Sequence, residues 1–338
     1  MTLYGGIDLH SNNNVVALTD ESDRIVYRKR LANDARRVLE VLEPYREAIT
    51  GLVVESTYNW YWLVDALMAA GYQMHLANTA AIVQYSGLKY SDDDTDAAWL
   101  AKLLRLGLLP EGFIYPQAQR AVRDLLRRRS RLVQQRTANV LAVQNLFSRN
   151  RGCSISANDI RRLTPERIAE LVADANLALA IQSTLLAMQG QQAAIDLLER
   201  EAWRQTKATE VWQPLLTVSG IGRILGLTIV LETGPIERFA EVGNYASYCR
   251  CVGSTHVSSG KQKGKGNTKN GNKYLAWAYV EAAHFAVRYN PQIKRYYQRK
   301  RAQTKGVVAI KAVAHKLARA CYHILRDGSD FDVNRAFA

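Results

Sequence analysis

The sequence predicts an α/β unit followed by a long, almost wholly helical stretch, a chain of the α/β plus α class. Short apolar runs separated by polar turns fill the first 116 residues. Residues 117–209 then carry helical periodicity with almost no strand signal. Charge is split as well. Arg250–Ala338 holds 18 basic against 4 acidic residues, whereas residues 1–100 hold 8 against 14, on a chain of net charge +14. At roughly 100–200 residues per domain, the 338 residues make two or three domains. The divisions read here are 1–116, 117–209 and 210–338.

In the first unit, Tyr4–Leu9 and Val15–Leu18 are short strands around the polar turn Ser11-Asn12-Asn13-Asn14. Arg24–Leu31 completes a meander. Asp34–Tyr45 has helical spacing of Val38, Leu39, Val41 and Leu42, with Asn33 or Asp34 as the cap. Ile49–Val54 suits a buried strand. Asn59–Ala70 is a helix stopped by Gly71, Tyr72–Ala77 a strand and Thr79–Tyr85 helical. Asp93–Leu106 is a helix with Ala97, Leu100, Leu103 and Leu104 on one face. Three leading strands followed by alternating helices and strands is the order of ribonuclease H-like nuclease folds.

The middle unit opens with a long helix, Gln117–Asn150, carrying seven arginines between Arg120 and Arg136 with only Asp124 opposing them. Leu125, Leu126, Leu132, Val133, Val140, Leu141, Val143 and Leu146 supply its apolar stripe. Gly152-Cys153-Ser154 breaks it. Pro165–Val172 is a short helix and Asn176–Gln205 a second long one. Antiparallel pairing of the two long helices makes a coiled-coil arm, and an intermolecular coil fits the pattern equally. In the third unit, Leu215–Leu231 contains Val218-Ser219-Gly220-Ile221-Gly222 followed by an apolar helix, and Phe239–Cys249, Tyr274–Tyr289 and Val307–Leu325 are helical. Thr255–Asn272 is a polar loop rich in Gly and Lys.

Several function classes are excluded. Hydrophobic content of 48% is ample for packed cores, so the chain is not a disordered one. No apolar run approaches the roughly 18 residues of a membrane span. Met1–Asp8 lacks the basic and apolar regions of a secretion signal. Four cysteines do not make a disulfide framework, and Cys249-x-Cys251 has no second ligand pair. The expectation is a soluble cytoplasmic protein. Its basic C-terminal block, with Tyr and Trp interleaved, favours polyanions, because neutralising phosphates releases counterions.

Two constellations carry chemistry. Asp8 and Glu55 each close an apolar strand, and Asp93 and Asp96 share the first turn of a helix at i, i+3 spacing. In the strand order above, the first and fourth strands are neighbours and the last helix crosses them, so the four carboxylates can converge. Carboxylate oxygens take hard divalent cations such as Mg²⁺, and metal pairs support phosphodiester cleavage. The plainer reading makes Asp8 and Glu55 loop-edge residues and Asp92-Asp93-Asp94 a helix cap. His10 is a further ligand or a surface residue.

The second constellation is Ser258-Ser259-Gly260, followed by Lys261, Lys263, Lys265, Lys269 and Lys273. Glycines here allow close approach to a phosphate. A serine beside cations can attack a phosphodiester once a base removes its proton, and His256 is three residues from Ser259. The alternative is a phosphate-binding loop without chemistry. Ser219-Gly220-Ile221-Gly222 is similar to a helix-hairpin-helix element, in which backbone N–H groups hold a DNA phosphate. A plain helix–helix turn also fits.

Taken together, Gly6-Ile7-Asp8-Leu9-His10, Val53-Val54-Glu55-Ser56, Asp93-x-x-Asp96-Ala97, Gly220-Ile221-Gly222 and Ser259-Gly260…Lys269-x-Gly271-Asn272-x-x-Leu275 resemble the DEDD transposases of the insertion-sequence 110 family and the related Piv-type DNA invertases. The resemblance implies a RuvC-like N-terminal domain, a coiled-coil middle and a mostly helical C-terminal transposase domain. It implies Asp8, Glu55, Asp93 and Asp96 as a metal tetrad for Mg²⁺, with Mn²⁺ as a substitute. Ser259 becomes the nucleophile that is linked to DNA, and Gly220, Gly222, Lys261, Lys263, Lys265, Lys269 and Lys273 fall in nucleic-acid-binding positions. Donor and target DNA, an element-encoded non-coding guide RNA and a homotetramer built as a dimer of dimers are the implied partners, at the bacterial nucleoid. This chain departs from the family at Ser219, where proline is usual, and Ser258 competes with Ser259. A Holliday-junction-type nuclease that uses the tetrad and water is the alternative. A nucleic-acid-binding protein with a decayed site is a third reading.

Overall fold

Alternating apolar residues pair β1 (Leu3–Leu9) with β2 (Asn13–Thr19), and β2 with β3 (Ile25–Ala32), both antiparallel. The computed structural model describes residues 1–82, 93–207, 210–253, 255–265 and 270–338. Helix α1 (Ala35–Leu42) is capped by Asp34, whose side chain accepts from the Arg36 amide. Pro44 follows, and the predicted continuation to Tyr45 is instead a 3₁₀ turn, Glu43–Ala48. β4 (Ile49–Glu55) runs parallel to β1, and β5 (Met74–Ala77) parallel to β4. Between them lies α2 (Tyr61–Ala69), two residues shorter at its start than the spacing predicted. A two-residue strand, β6 (Glu111–Gly112), too short to show in the sequence pattern, pairs with β5. Sheet order is β3-β2-β1-β4-β5-β6. Of the predicted helix Thr79–Tyr85, Thr79–Ala81 is a 3₁₀ turn, and residues 83–85 lie outside the described residues.

Strand alternation sorts side chains onto the two faces. Ile7, Val16, Leu18, Leu52 and Val54 pack with Val38 and Leu42 of α1 and with Leu63, Val64 and Leu67 of α2. Val15, Ala17 and Val53 point the other way, against Ala97, Leu100 and Leu103 of α3 (Asp93–Arg105). The backbone of α3 lies directly on Gly6. A Cβ built there would stand 1.9 Å from the Ala97 carbonyl oxygen and 2.9 Å from the Ala101 amide. At its far end, Arg105 grips Asp23 of the β2–β3 turn through Nε and Nη2 at 2.8 and 2.9 Å, with Lys102 at 3.1 Å. Those two fixings set the direction of α3, so that its N-terminal turn lies toward the C-terminal end of β1. Hydrogen bonds from Arg105 hold the Asp23 carboxyl below the usual carboxylate range, against desolvation.

The chain divides after this unit, into Met1–Gln117 and Ala118–Ala338. In the second unit, α4 (Gln117–Arg151) and α7 (Ala175–Thr206) run antiparallel. Arg129–Glu199, Arg136–Gln192 and Asn139–Gln191 are successive polar contacts along them. The far end is closed by α5 (Ala157–Arg161), which the sequence pattern did not reveal, and by α6 (Pro165–Leu171). Ile160 and Ile168 of these short helices pack with Val143, Phe147, Ile181 and Leu185. The near end holds Val122, Leu126, Ala202 and Trp212 against Leu227 and Leu231 of α8 (Arg223–Thr233).

Helices α8, α9 (Val242–Tyr248), α10 (Lys273–Tyr289), α11 (Pro291–Gln303), α12 (Gly306–Asp327) and α13 (Val333–Phe337) build the remainder. At its centre the buried Tyr245 hydroxyl meets those of Tyr279 at 2.7 Å and Thr233 at 3.0 Å. The apolar helix expected after Gly222 is α8, capped by that glycine. The predicted helix Phe239–Cys249 begins three residues later, at Val242, after a 3₁₀ turn over Ile236–Arg238. The predicted loop Thr255–Asn272 contains a hairpin, β7 (Thr255–Ser258) with β8 (Lys261–Lys265). All four cysteines are free thiols. Cys153 is exposed between α4 and α5, whereas burial pushes Cys251 and Cys321 up to about 12 and raises Cys249 well above the usual thiol range. No helix among the described residues is long and apolar enough to cross a membrane.

Two stability measurements follow from the seating of α3. Gly6→Ala forces helix and strand apart and costs about 1–3 kcal/mol, read as a lowered thermal midpoint. Asp23→Asn costs up to about 1 kcal/mol at neutral pH, since the pair is partly exposed. The folded-state pKa of Asp23 is depressed, so its contribution is present above the unfolded carboxylate pKa and lost as pH falls. The melting curves of wild type and Asp23→Asn therefore converge in acid.

Candidate active site

Asp8 and Glu55 end up on the α3 side of the sheet. Asp8 follows Gly6 by two residues in β1, and Glu55 follows Val53 by two in β4. Ile7 and Val54 are paired in register, so Asp8 and Glu55 occupy the next rung of adjacent parallel strands. Asp8 is 5% exposed and Glu55 half-buried. Asp96, one residue before the Ala97 that sits on Gly6, is half-buried on α3. Asp93 begins the same helix, and its side chain lies outside the described residues, as does Asp92. Among the described residues, no three Asp, Glu, His or Cys side chains form a group able to hold a metal ion.

His10 is partly exposed and sits beside Asp8. Its Nε2 stands 3.1 Å from Asp8 Oδ2. Its carbonyl accepts from Asn33 Nδ2 at 3.0 Å and Asn59 Nδ2 at 2.8 Å. Those two asparagines pin the β1–β2 turn, and nothing in their spacing signalled it. Asn59 also fixes the segment after Glu55, from which Tyr58 projects with 83% of its surface exposed.

Ser259 sits at the apex of the β7–β8 hairpin. Ser258 pairs with Lys261, leaving Ser259 and Gly260 as a two-residue turn with φ of 53° and 73°. Two positive φ values define a type I′ turn, which favours Asn, Asp or Gly at its first position. Serine there is strained by about 1–2 kcal/mol. Ser259 is exposed, and Gly260 has open space where a Cβ would be. Ser258 is the last paired residue of β7. A register shift between His256 and Val257 falls opposite Lys263. Lys261, Lys263 and Lys273 are exposed, Lys265 ends β8, and Lys269 lies outside the described residues.

The two hairpin glycines do different jobs. Gly220 (φ 94°) faces α10, where a Cβ would stand 2.3 Å from the Ala282 carbonyl oxygen. Its lack of a side chain serves helix packing. Gly222 opens α8 with nothing near its Cβ position. A groove beside them is lined by Arg200, Trp203, Arg223, Phe285 and Tyr289.

The sequence reading missed a buried network around Glu232. Glu232, 2% exposed, receives Arg127 Nε and Nη2 at 2.6 and 2.8 Å and Asn272 Nδ2 at 2.7 Å. One signal was available, a lone acid at the end of the apolar run Leu225–Leu231. Which of seven arginines answers it was not legible.

Comparison with known proteins places these residues in context. Residues 5–149 match the DEDD transposase family of the insertion-sequence 110 type, a span that includes Asp8, Glu55, Asp93 and Asp96. Residues 213–298 match the transposase IS116/IS110/IS902 family, a span that includes Gly220, Gly222 and Ser259. The chain is also 24% identical over 292 residues to a probable family 20 transposase of Pseudomonas aeruginosa, covering 84% of this chain and 83% of the relative. Both family matches and the relative agree, and the chain belongs to the IS116/IS110/IS902 family of transposases.

Proposed function

We propose that this transposase is an RNA-guided, metal-assisted serine recombinase that moves an insertion sequence. Ser259 carries the reading. It is an exposed hydroxyl residue at the tip of a turn that disfavours it, among cations and glycines. Strain of this kind persists where the surroundings over-determine it, most often at functional sites. The placement of Asp8 and Glu55 on neighbouring strand ends beneath α3 supports the carboxylate half, in a RuvC-like arrangement of the N-terminal sheet.

The oxygen donors of Asp8, Glu55, Asp93 and Asp96 suit a hard divalent cation. Mg²⁺, or Mn²⁺ in its place, would neutralise charge on the scissile phosphate when bound. The chain's own residues do the rest. His10 and the two asparagines hold Asp8 at the strand end. Lys261, Lys263, Lys265, Lys269 and Lys273 hold phosphates, and the open backbone at Gly222 offers a further phosphate contact. Ser259 Oγ attacks phosphorus, forming a P–O bond as the bond to the departing deoxyribose oxygen breaks. The serine proton leaves to a base or to water, and the departing oxygen takes one up. A second deoxyribose hydroxyl then attacks the phosphoserine, rejoining DNA and restoring the serine, with no net hydrolysis.

In this reading 1–116 is the carboxylate domain, 117–209 a coiled-coil arm and 210–338 the serine domain. Donor and target DNA are selected by an element-encoded non-coding RNA, and four subunits assemble as a dimer of dimers at the bacterial nucleoid. The exposed Leu179, Leu186 and Leu197, aligned on one side of α7, support self-association along the arm.

The test is a covalent-adduct assay with the native flanking DNA. A nucleotide is expected on Ser259 by mass spectrometry, and none in Ser259→Ala or Asp8→Ala, with both variants still binding nucleic acid. Nicking that persists in Ser259→Ala would replace this reading with the metal-dependent nuclease. Lys273→Ala should lower the slope of log affinity against log salt by about one.

A further inference from the structure

We infer that Arg127 and Glu232 are positioning residues for the Ser259 hairpin, tying the chain's exit from that hairpin to the long helix α4. The inference rests on Ser259 as the nucleophile and adds the device that holds it.

The exit is fixed at Gly271-Asn272. Arg250 donates to the Gly271 carbonyl through Nε and Nη2 at 3.0 and 2.8 Å. Gly271 has φ 86°, and a Cβ there would stand 2.5 Å from the Tyr248 carbonyl oxygen. The Asn272 amide donates to that same oxygen at 2.6 Å. Asn272 then caps α10, its Oδ1 accepting from the Tyr274 and Leu275 amides at 2.8 and 3.2 Å. With Oδ1 committed to the cap, Nδ2 is directed to Glu232 Oε2 at 2.7 Å.

Glu232 passes this constraint on to α4. Arg127 meets both of its oxygens in a fork, Arg123 Nε stands 3.8 Å away, and the Arg127 guanidinium covers the Tyr274 ring at 4.5 Å. A fork of two parallel hydrogen bonds tolerates little displacement. A carboxylate this deeply buried cannot be left behind when its partner moves. Any shift of α4 therefore draws Glu232 with it, and Asn272 follows. α4 extends from this point to the far end of the helical pair at Phe147. Arginine is specified at 127 by geometry as well as charge, since lysine offers no fork.

The experiment uses the full-length protein with its nucleic acids. Glu232→Gln keeps the shape and an acceptor for Asn272 but removes the charge that holds Arg127. Arg127→Lys keeps the charge and loses the fork, and Arg127→Ala loses both. We expect Glu232→Gln to leave nucleic-acid affinity within about twofold. We also expect it to speed hydrogen exchange at 255–265 and 272–275 and to slow adduct formation per bound complex at least tenfold. Arg127→Lys should recover part of the adduct rate lost in Arg127→Ala. Unchanged exchange at 255–265 together with an unchanged adduct rate would overturn the inference, whatever the fall in thermal midpoint. Absence of any adduct in wild type would instead remove the serine reading, and the exchange measurement would still decide whether the tie exists. Should Glu232→Gln fail to fold, Arg127→Lys carries the same readouts.

Discussion

Glu232 is buried at the end of an apolar helix, and that placement constrains everything around it. Removing a carboxylate and a guanidinium from water costs several kcal/mol each, and their attraction offsets this only when geometry is good and the remaining lone pairs are matched. Arg127 and Asn272 supply those matches from α4 and from the start of α10. Apolar neighbours such as Val122, Leu126, Leu227 and Leu231 stabilise the same junction but tolerate sliding. The ion pair adds direction. It adds little net stability, and breaking one half costs about 3–5 kcal/mol.

The N-terminal unit seats its helix by a missing side chain at one end and an ion pair at the other. There the missing side chain of Gly6 lets the α3 backbone rest on β1, and the Arg105–Asp23 clamp sets the helix direction. Carboxylates two residues from Gly6 and Val53, and one residue from Ala97, are placed by alternation and by helix seating.

Much of this was legible because periodicity is a strong signal. Three leading strands, the parallel β4 and β5 and both long helices follow from the spacing of Val, Leu and Ile alone. Asp8 and Glu55 stood out for a related reason, since each closes an apolar strand without a capping role. What escaped was set by tertiary context. β6 and α5 are too short to show a period. The β7–β8 hairpin is built of Thr-His-Val-Ser and Lys-Gln-Lys-Gly-Lys, whose composition argues for loop, and its turn places serine where glycine or asparagine would have signalled it. Gly220 read as a phosphate-binding glycine, and its Cα also packs closely on α10, which no spacing showed. Sequence shows that a glycine is needed but not which neighbour needs it. The pairing of Arg127 with Glu232 spans more than a hundred residues, and no local pattern encodes it.

The cysteines have a practical consequence. Thiol alkylation proceeds through the thiolate, so burial that raises a thiol's pKa also silences it toward maleimides and iodoacetamides. Cys249, Cys251 and Cys321 are silenced in this way, while Cys153 stands exposed beyond the end of α4, at the tip of the helical pair. Nature has left this chain with a single addressable sulfur at the end of its longest lever. A fluorophore or nitroxide placed there reports where that tip points, in the unaltered sequence, while the rest of the molecule stays dark.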